Sequence, residues 1–205
     1  MPTIQREDFK DIGQLAAHCS LPKLAIAIQE AEDFDLSELF CPNWELLAGI
    51  IAEVKAYEVL PEWSLVPEPA NYAKKLILVY GGTYEGPKER KIRNLGLIRT
   101  WVYYAYARYV ILNGFNDTPT GVVSKNNEFS MPKSLRELQS FSDKYIAMGL
   151  ESYKKSLEFL CYNTDIFTTF IPGDSCKAFE CEDNSCHRSN TKVNGMTSRN
   201  IKKRI

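Results

Sequence analysis

The sequence predicts a mainly α fold: a helical bundle with an inserted loop or β-hairpin arm and an extended C-terminal tail. Three observations carry this. Apolar residues recur at helical spacing in segment after segment, with proline and glycine marking the boundaries. The run "NGFNDTPTGVVSKNNEFSMP", Asn113 to Pro132, sets about twenty polar, turn-forming residues between the two strongest helical segments, where helix connections ordinarily need roughly 2 to 8. Beyond Gly173 the apolar period is lost. A chain of 205 residues has room for one ordinary domain with a core, plus appendages. The expected division is a helical body over 1–172, carrying the arm at about 114–131, and a tail over 173–205.

The elements follow in order. "REDFKDIGQLAAHC" reads as a first helix with acids in its opening turn, where the helix dipole favours them. Ser20 then serves as N-cap and Pro22 sits in the first turn of "PKLAIAIQEAEDFDLSELF", whose Leu24, Ile28, Ala31, Leu36 and Leu39 keep a helical period. "WELLAGIIAEVKAYEVL" is a third helix, ended by Pro61 and a Pro-rich connector. A fourth, "ANYAKKLILVY", stops at Gly81 and Gly82, which tolerate the positive φ of a C-terminal cap. "TYEGPKERKIRNL" suits an exposed hairpin or loop turning at Gly86-Pro87.

"GLIRTWVYYAYARYVILNG" is apolar or aromatic on every face, which predicts a helix buried all round, at the centre of a bundle or wrapped by neighbouring subunits. Arg108 inside that envelope then needs a carboxylate or carbonyl partner, because an unpaired buried charge is costly. After the arm, Pro132 precedes the longest helix, "KSLRELQSFSDKYIAMGLESYKKSLEFLCYN". Its expected core stripe is Leu135, Leu138, Tyr145, Met148, Leu157 and Leu160, and Gly149 in mid-helix marks close approach of another element. "DIFTTFIPGD" is β-branched and aromatic, so a short strand or extended arm is expected. The tail after Gly173 buries too little to fold alone.

Apolar residues at 44% and charged residues at 25% are values of a soluble globular protein. No apolar run reaches the roughly 18 to 20 residues that span a bilayer, and "MPTIQREDFKD" lacks the basic and apolar regions of a signal peptide. The net charge of −1 hides an asymmetry: residues 1–70 carry 13 acids and 4 bases, and residues 71–205 carry 13 acids and 21 bases. Either the halves pair within the chain, or the acidic face of one subunit meets the basic face of the next. Cys19, Cys41 and Cys161 read as small buried hydrophobes, Cys176, Cys181 and Cys186 as free thiols in a polar tail, and no disulfide is required.

Catalytic and metal chemistry find little support in these residues. Cys176, Cys181, Cys186 and His187 are spaced by four residues or not at all, whereas zinc ligands pair at roughly two to four, and adjacent ligands fit one tetrahedral ion poorly. There are two histidines and no nucleophile motif. Glu30, Glu32, Asp33 and Asp35 read as a solvated face, and "YGGTYEG" lacks the lysine of a phosphate loop. The expectation is a protein that is not an enzyme and takes no cofactor and no metal.

Taken together, "LVYGGTYEG", "GLIRTWVYYAYARYV", "NDTPTGVVSKNNEFSMP" and "SFSDKYIAMGLESYKKSLEFL" resemble head–tail connector (adaptor, or tail ring) proteins of tailed bacteriophages, most nearly those of short-tailed, crAss-like phages of gut Bacteroides. The likeness runs from about Asp8 to Phe167. It implies a virion protein forming a dodecameric ring under the portal, assembled in the host cytoplasm, that joins capsid to tail and continues the DNA exit channel. Its implied partners are itself, the portal protein, adjacent tail proteins and, in passing, genomic DNA, with no membrane. Such rings grip their neighbours with loops and arms. Asp117, Thr118, Pro119, Thr120, Gly121, Val122, Val123 and Lys125 are the candidate arm, with Pro119 and Gly121 fixing a turn and the valines able to add a strand to a neighbour. Arg90, Lys91 and Arg93 form a basic loop that is either solvated or docked on an acidic partner. Lys202, Lys203 and Arg204 end the chain as a basic run with the same two readings. The competing class is a non-structural or packaging-associated nucleic-acid-binding protein, suggested by the basic second half and the many aromatics.

Overall fold

The computed structural model describes residues 4–10, 19–61, 66–118, 121–124, 134–173 and 176. Helix α1 (Leu21–Glu30) opens behind Ser20 with Pro22 in its first turn. The Ser20 hydroxyl makes no cap; its N–H donates to the Tyr109 hydroxyl at 3.3 Å instead. Past Glu30 the helix widens into a π-helical segment, Ala31–Leu36, and closes with the single turn α2 (Ser37–Leu39). The burial pattern gives the reason. Leu24, Ala27, Ile28 and Ala31 keep an α period, and the next buried apolar residue is Leu36, five positions on, which is the repeat of a π turn. An α turn there would have put Phe34 or Asp35 on the core face.

The predicted first helix is reduced, among the described residues, to a 3-10 turn at Arg6–Phe9; residues 11–18 lie outside them. Ile4 and Phe9 are buried, and the Lys55 ammonium meets Asp8 at 2.8 Å, fastening this segment to α3 (Trp44–Glu58). Helix α4 (Tyr72–Tyr80) ends at Gly81 with φ +91°, and β1 (Gly82–Glu85) pairs antiparallel with β2 (Lys91–Asn94) around a turn at Pro87–Glu89. The hairpin closes on two glycines. A Cβ at Gly96, φ +90°, would lie 2.5 Å from the Gly81 nitrogen, and one at Gly81 would lie 2.7 Å from the Leu95 carbonyl oxygen. Glycine alone combines that conformation with that approach. Asn94, buried at the end of β2, seals the junction: its side chain donates to the Ile77 carbonyl at 2.8 Å and accepts from Gly96 N–H and the Ser156 hydroxyl.

Helix α5 (Leu97–Gly114) is the centre of the fold, buried at eleven positions on all sides, as its all-round apolar sequence predicts. It packs chiefly against α1 and α6 (Leu135–Tyr162). Trp101 is fully buried, donates its indole N–H to the Ile28 carbonyl at 3.1 Å and meets Trp44 edge-on at 5.4 Å. The tyrosines pack as core: Tyr106 sits edge-on to Tyr145 at 4.6 Å.

Helix α6 begins with a capping box, the Ser134 hydroxyl accepting the Glu137 N–H and the Glu137 carboxylate accepting the Ser134 N–H. Its core face differs from the expected stripe. Leu135 and Met148 are exposed, and the buried line is Ser142, Tyr145, Gly149, Ser152, Ser156, Phe159 and Leu160. Tyr103, Tyr104 and Tyr106 of α5 fill the space between the helices, so α6 answers with small residues. Their hydroxyls are satisfied there: Thr100 Oγ1 donates to Ser152 Oγ at 2.9 Å. Gly149 marks a close approach of α5, as predicted, where a Cβ would come 2.8 Å from Tyr104 Cε2.

The segment after α6 is neither strand nor extended arm. It turns back on the body through 163–169, burying Phe167 and Phe170. Asn43, ahead of α3, then clamps Ile171 by both backbone groups, donating to its carbonyl at 3.0 Å and accepting its N–H at 2.8 Å. Two cysteine expectations are corrected here. Cys161 and Cys176 form a disulfide, and Cys41 is exposed while Cys19 is half-buried. Spacing in sequence cannot show that the chain doubles back, which is what brings the two sulfurs together.

Candidate interaction surfaces

Three features stand out from the core. The first is an ion cluster beside a cleft of about 330 Å³ floored by α5 and walled by α1 with its π extension and by α6. Arg108 donates from Nε to Asp35 Oδ2 at 2.7 Å and from Nη2 to Asp35 Oδ1 at 3.1 Å, and its Nη1 reaches Glu30 at 3.4 Å. The Phe34 ring lies 5.6 Å from the guanidinium carbon. Hydrogen bonding to Asp35 raises the guanidinium pKa further, against the opposing effect of burial. Burial, with the Asp35 charge, pushes the Tyr104 hydroxyl up to about 12. The expected solvated acidic face is therefore split. Glu30 and Asp35 hold Arg108, Glu32 is half-buried with its carboxyl pKa raised by that burial, and Asp33 is exposed. Arg108 has the carboxylate partner its position demands. Lys23 adds a cation at the C-terminal end of α5, donating to the Leu112 carbonyl at 2.9 Å.

The second feature is the β1–β2 hairpin. Ile92 and Asn94 face inward, and Tyr84 packs edge-on against Phe159 at 4.8 Å, while Lys91 and Arg93 are exposed on the opposite face of β2 and Arg90 precedes them, also exposed. Arg90 lies close enough to Glu158 to oppose the rise in its pKa that burial causes. Lys91 and Arg93 thus share the outer face of β2, while Arg90, exposed as well, lies toward Glu158 on α6.

The third is the inserted arm. Asn116 and Asp117 in β3 (Phe115–Thr118) pair with Val123 and Val122 in β4 (Gly121–Ser124), and the Thr118–Gly121 pair closes a two-residue connection. The valines therefore make their strand within the arm, directly off the end of α5. Among the described residues no third strand joins this sheet, so each strand keeps an outer edge of backbone groups. Pro119, Thr120 and Lys125 lie outside the described residues, as do Lys202, Lys203 and Arg204.

Among the described residues no group of three or more His, Cys, Asp or Glu side chains is placed to hold a metal ion, and no helix is long and apolar enough to cross a membrane. Cys176 is committed to its disulfide. Sequence reasoning missed that bridge and missed Glu30 and Asp35 as partners of Arg108. For the second a signal existed: one buried arginine and a nearby helix dense in carboxylates.

Together these features define a small helical bundle carrying a strand-edged arm and segregated charge. The chain belongs to a family of unknown function, DUF6712, whose model matches residues 57–180. That match takes in α4, the basic hairpin, the whole of α5, the arm, α6 and the disulfide. No curated protein and no solved structure matches the chain.

Proposed function

We propose that this chain is a structural virion protein, a subunit of a ring beneath the portal that connects capsid to tail and continues the DNA exit channel. The observation that supports it most is the β3–β4 arm, set at the end of the central helix α5 with an unclaimed outer edge on each strand among the described residues. An open edge is a template for strand pairing, and pairing with a neighbouring subunit or the portal supplies main-chain hydrogen bonds while side chains set register. Two other features agree with this reading. The first third of the chain is acidic and the remainder basic; part of that charge pairs within the chain, Arg108 with Glu30 and Asp35 and Lys75 with Glu53, and the imbalance left over agrees with head-to-tail contact in a ring. The resemblance of α5, the arm and α6 to connector proteins joins the same elements to the same role.

The experiment is quantitative mass spectrometry of purified virions, with this protein counted against the portal. A ratio near one to one is expected; absence from particles overturns the reading. Deletion of 118–127 should leave a folded protein that no longer joins particles. The exposed Arg90, Lys91 and Arg93 favour the nucleic-acid-binding alternative. Duplex binding by the isolated protein that collapses steeply with salt, together with absence from particles, would establish it instead.

A further inference from the structure

We propose that the Cys161–Cys176 disulfide is a redox-governed clasp that sets where the C-terminal tail leaves the body, and that the body folds without it. The inference does not depend on the ring role. It rests on how residues 163–176 are attached, which happens in two stages. Up to Ile171 the attachment is non-covalent: Phe167 and Phe170 are each 5% exposed, and Asn43 holds both backbone groups of Ile171. Ile171, Pro172 and Gly173 are then exposed, and the chain returns at Cys176, 3% exposed, bridged to Cys161 near the end of α6.

The second stage can therefore open without the first. With the bridge closed, the tail leaves from the end of α6 at Cys176. With it open, the last hold among the described residues is the Asn43 clamp, and the tail gains the length from Pro172 to Cys176. Closure takes two thiols to one disulfide. The two electrons and two protons pass to a low-molecular-weight disulfide, which is reduced to two thiols in two successive exchange steps. A reducing cytoplasm keeps the clasp open and an oxidising medium closes it. Because Cys176 is buried, the exchange proceeds through local release of Cys176 from the body, next to the exposed Ile171, Pro172 and Gly173.

The test uses the full chain equilibrated with oxidised glutathione or with dithiothreitol. Alkylation and peptide mass mapping should find Cys161 joined to Cys176 in the first and all six thiols free in the second. Hydrogen exchange should then speed up at Cys176 on reduction by about tenfold or more, while the amides of Ile171, Phe170 and α6 stay as they were. The C161A/C176A variant should fold and show the reduced pattern in both media. Three results overturn the proposal: Cys161 still free in the oxidised sample; Cys176 bridged to Cys181 or Cys186; or reduction exposing Ile171 and α6 together, which would make the bridge part of the fold.

Discussion

Arg108 and Asp35, 73 positions apart, are joined by two parallel hydrogen bonds of 2.7 and 3.1 Å, a fork-on-carboxylate geometry that fixes α5 against the π segment of α1. The side chains are 29% and 22% exposed, so the pair lies between the surface case, worth about 0–1 kcal/mol, and the buried case, where removing one partner costs about 3–5 kcal/mol. Arg108→Ala should cost about 2 kcal/mol in denaturant unfolding. Arg108→Lys should recover little of it, because an ammonium cannot reproduce the fork. A double-mutant cycle with Asp35→Ala should give a coupling above about 1 kcal/mol; additive losses would show that the two residues do not act as a unit.

Two helix glycines should respond in opposite directions to alanine. At Gly149 a new Cβ meets the Tyr104 ring at 2.8 Å, whereas at Gly49 nothing among the described residues lies within 4 Å. Alanine gains up to about 1 kcal/mol over glycine inside a helix, so Gly49→Ala should stabilise by about 0.5–1 kcal/mol. At Gly149 the same gain is set against overpacking of about 1–3 kcal/mol, because the ring is wedged between helices. Gly149→Ala should lower Tm; a Tm that rises would mean that α5 and α6 separate easily.

The same contact shows how far the fold was legible. Helix α5 was readable because it is apolar on every face, so no phase had to be chosen. Helix α6 was readable as a helix but not in its facing: apolar patterning points to Leu135 and Met148, and the packed line is Ser142, Gly149, Ser152 and Ser156. Side-chain volume on the partner helix decided the face, and a single helix carries no record of that. The Arg108 partner was legible as a need and not as a place, since the π turn that presents Asp35 arises from packing. The arm was legible from turn residues that interrupt a helical pattern. The disulfide depends on Phe167 and Phe170 turning the chain back onto the body, which a reading of "DIFTTFIPGD" as strand or arm could not supply.

Tyr84 makes a sharper stability test than a core truncation. Its ring is 4% exposed and packs on Phe159, yet among the described residues its hydroxyl has no hydrogen-bond partner. A buried hydroxyl without a partner costs about 1–3 kcal/mol, and removing it is neutral or favourable. Tyr84→Phe should leave stability unchanged or raise it by up to about 1 kcal/mol, while Tyr84→Ala should cost about 3–5 kcal/mol through the cavity it leaves. A clear loss in Tyr84→Phe would mean that a water molecule bridges the hydroxyl.

Glu158 gives the fold a pH dependence of predictable sign. Burial raises its carboxyl pKa above the usual 4.5, and Arg90 and Lys155 oppose the rise without cancelling it. A carboxyl whose folded pKa exceeds its unfolded value binds its proton more tightly in the fold. Its contribution to stability is therefore fully present below about 4.5 and is lost as pH rises through the folded pKa. At neutral pH the fold thus holds a carboxylate that would prefer water. Glu158→Gln should raise Tm at pH 7 and have little effect at pH 4. Arg90→Ala should lower Tm at pH 7 in the wild-type background and lose that effect once Glu158→Gln is present. A lower Tm for Glu158→Gln at pH 7 would reverse the assignment, with attraction to Arg90 outweighing burial. The basic hairpin would then be held to α6 by charge, leaving its arginine less free to meet a partner.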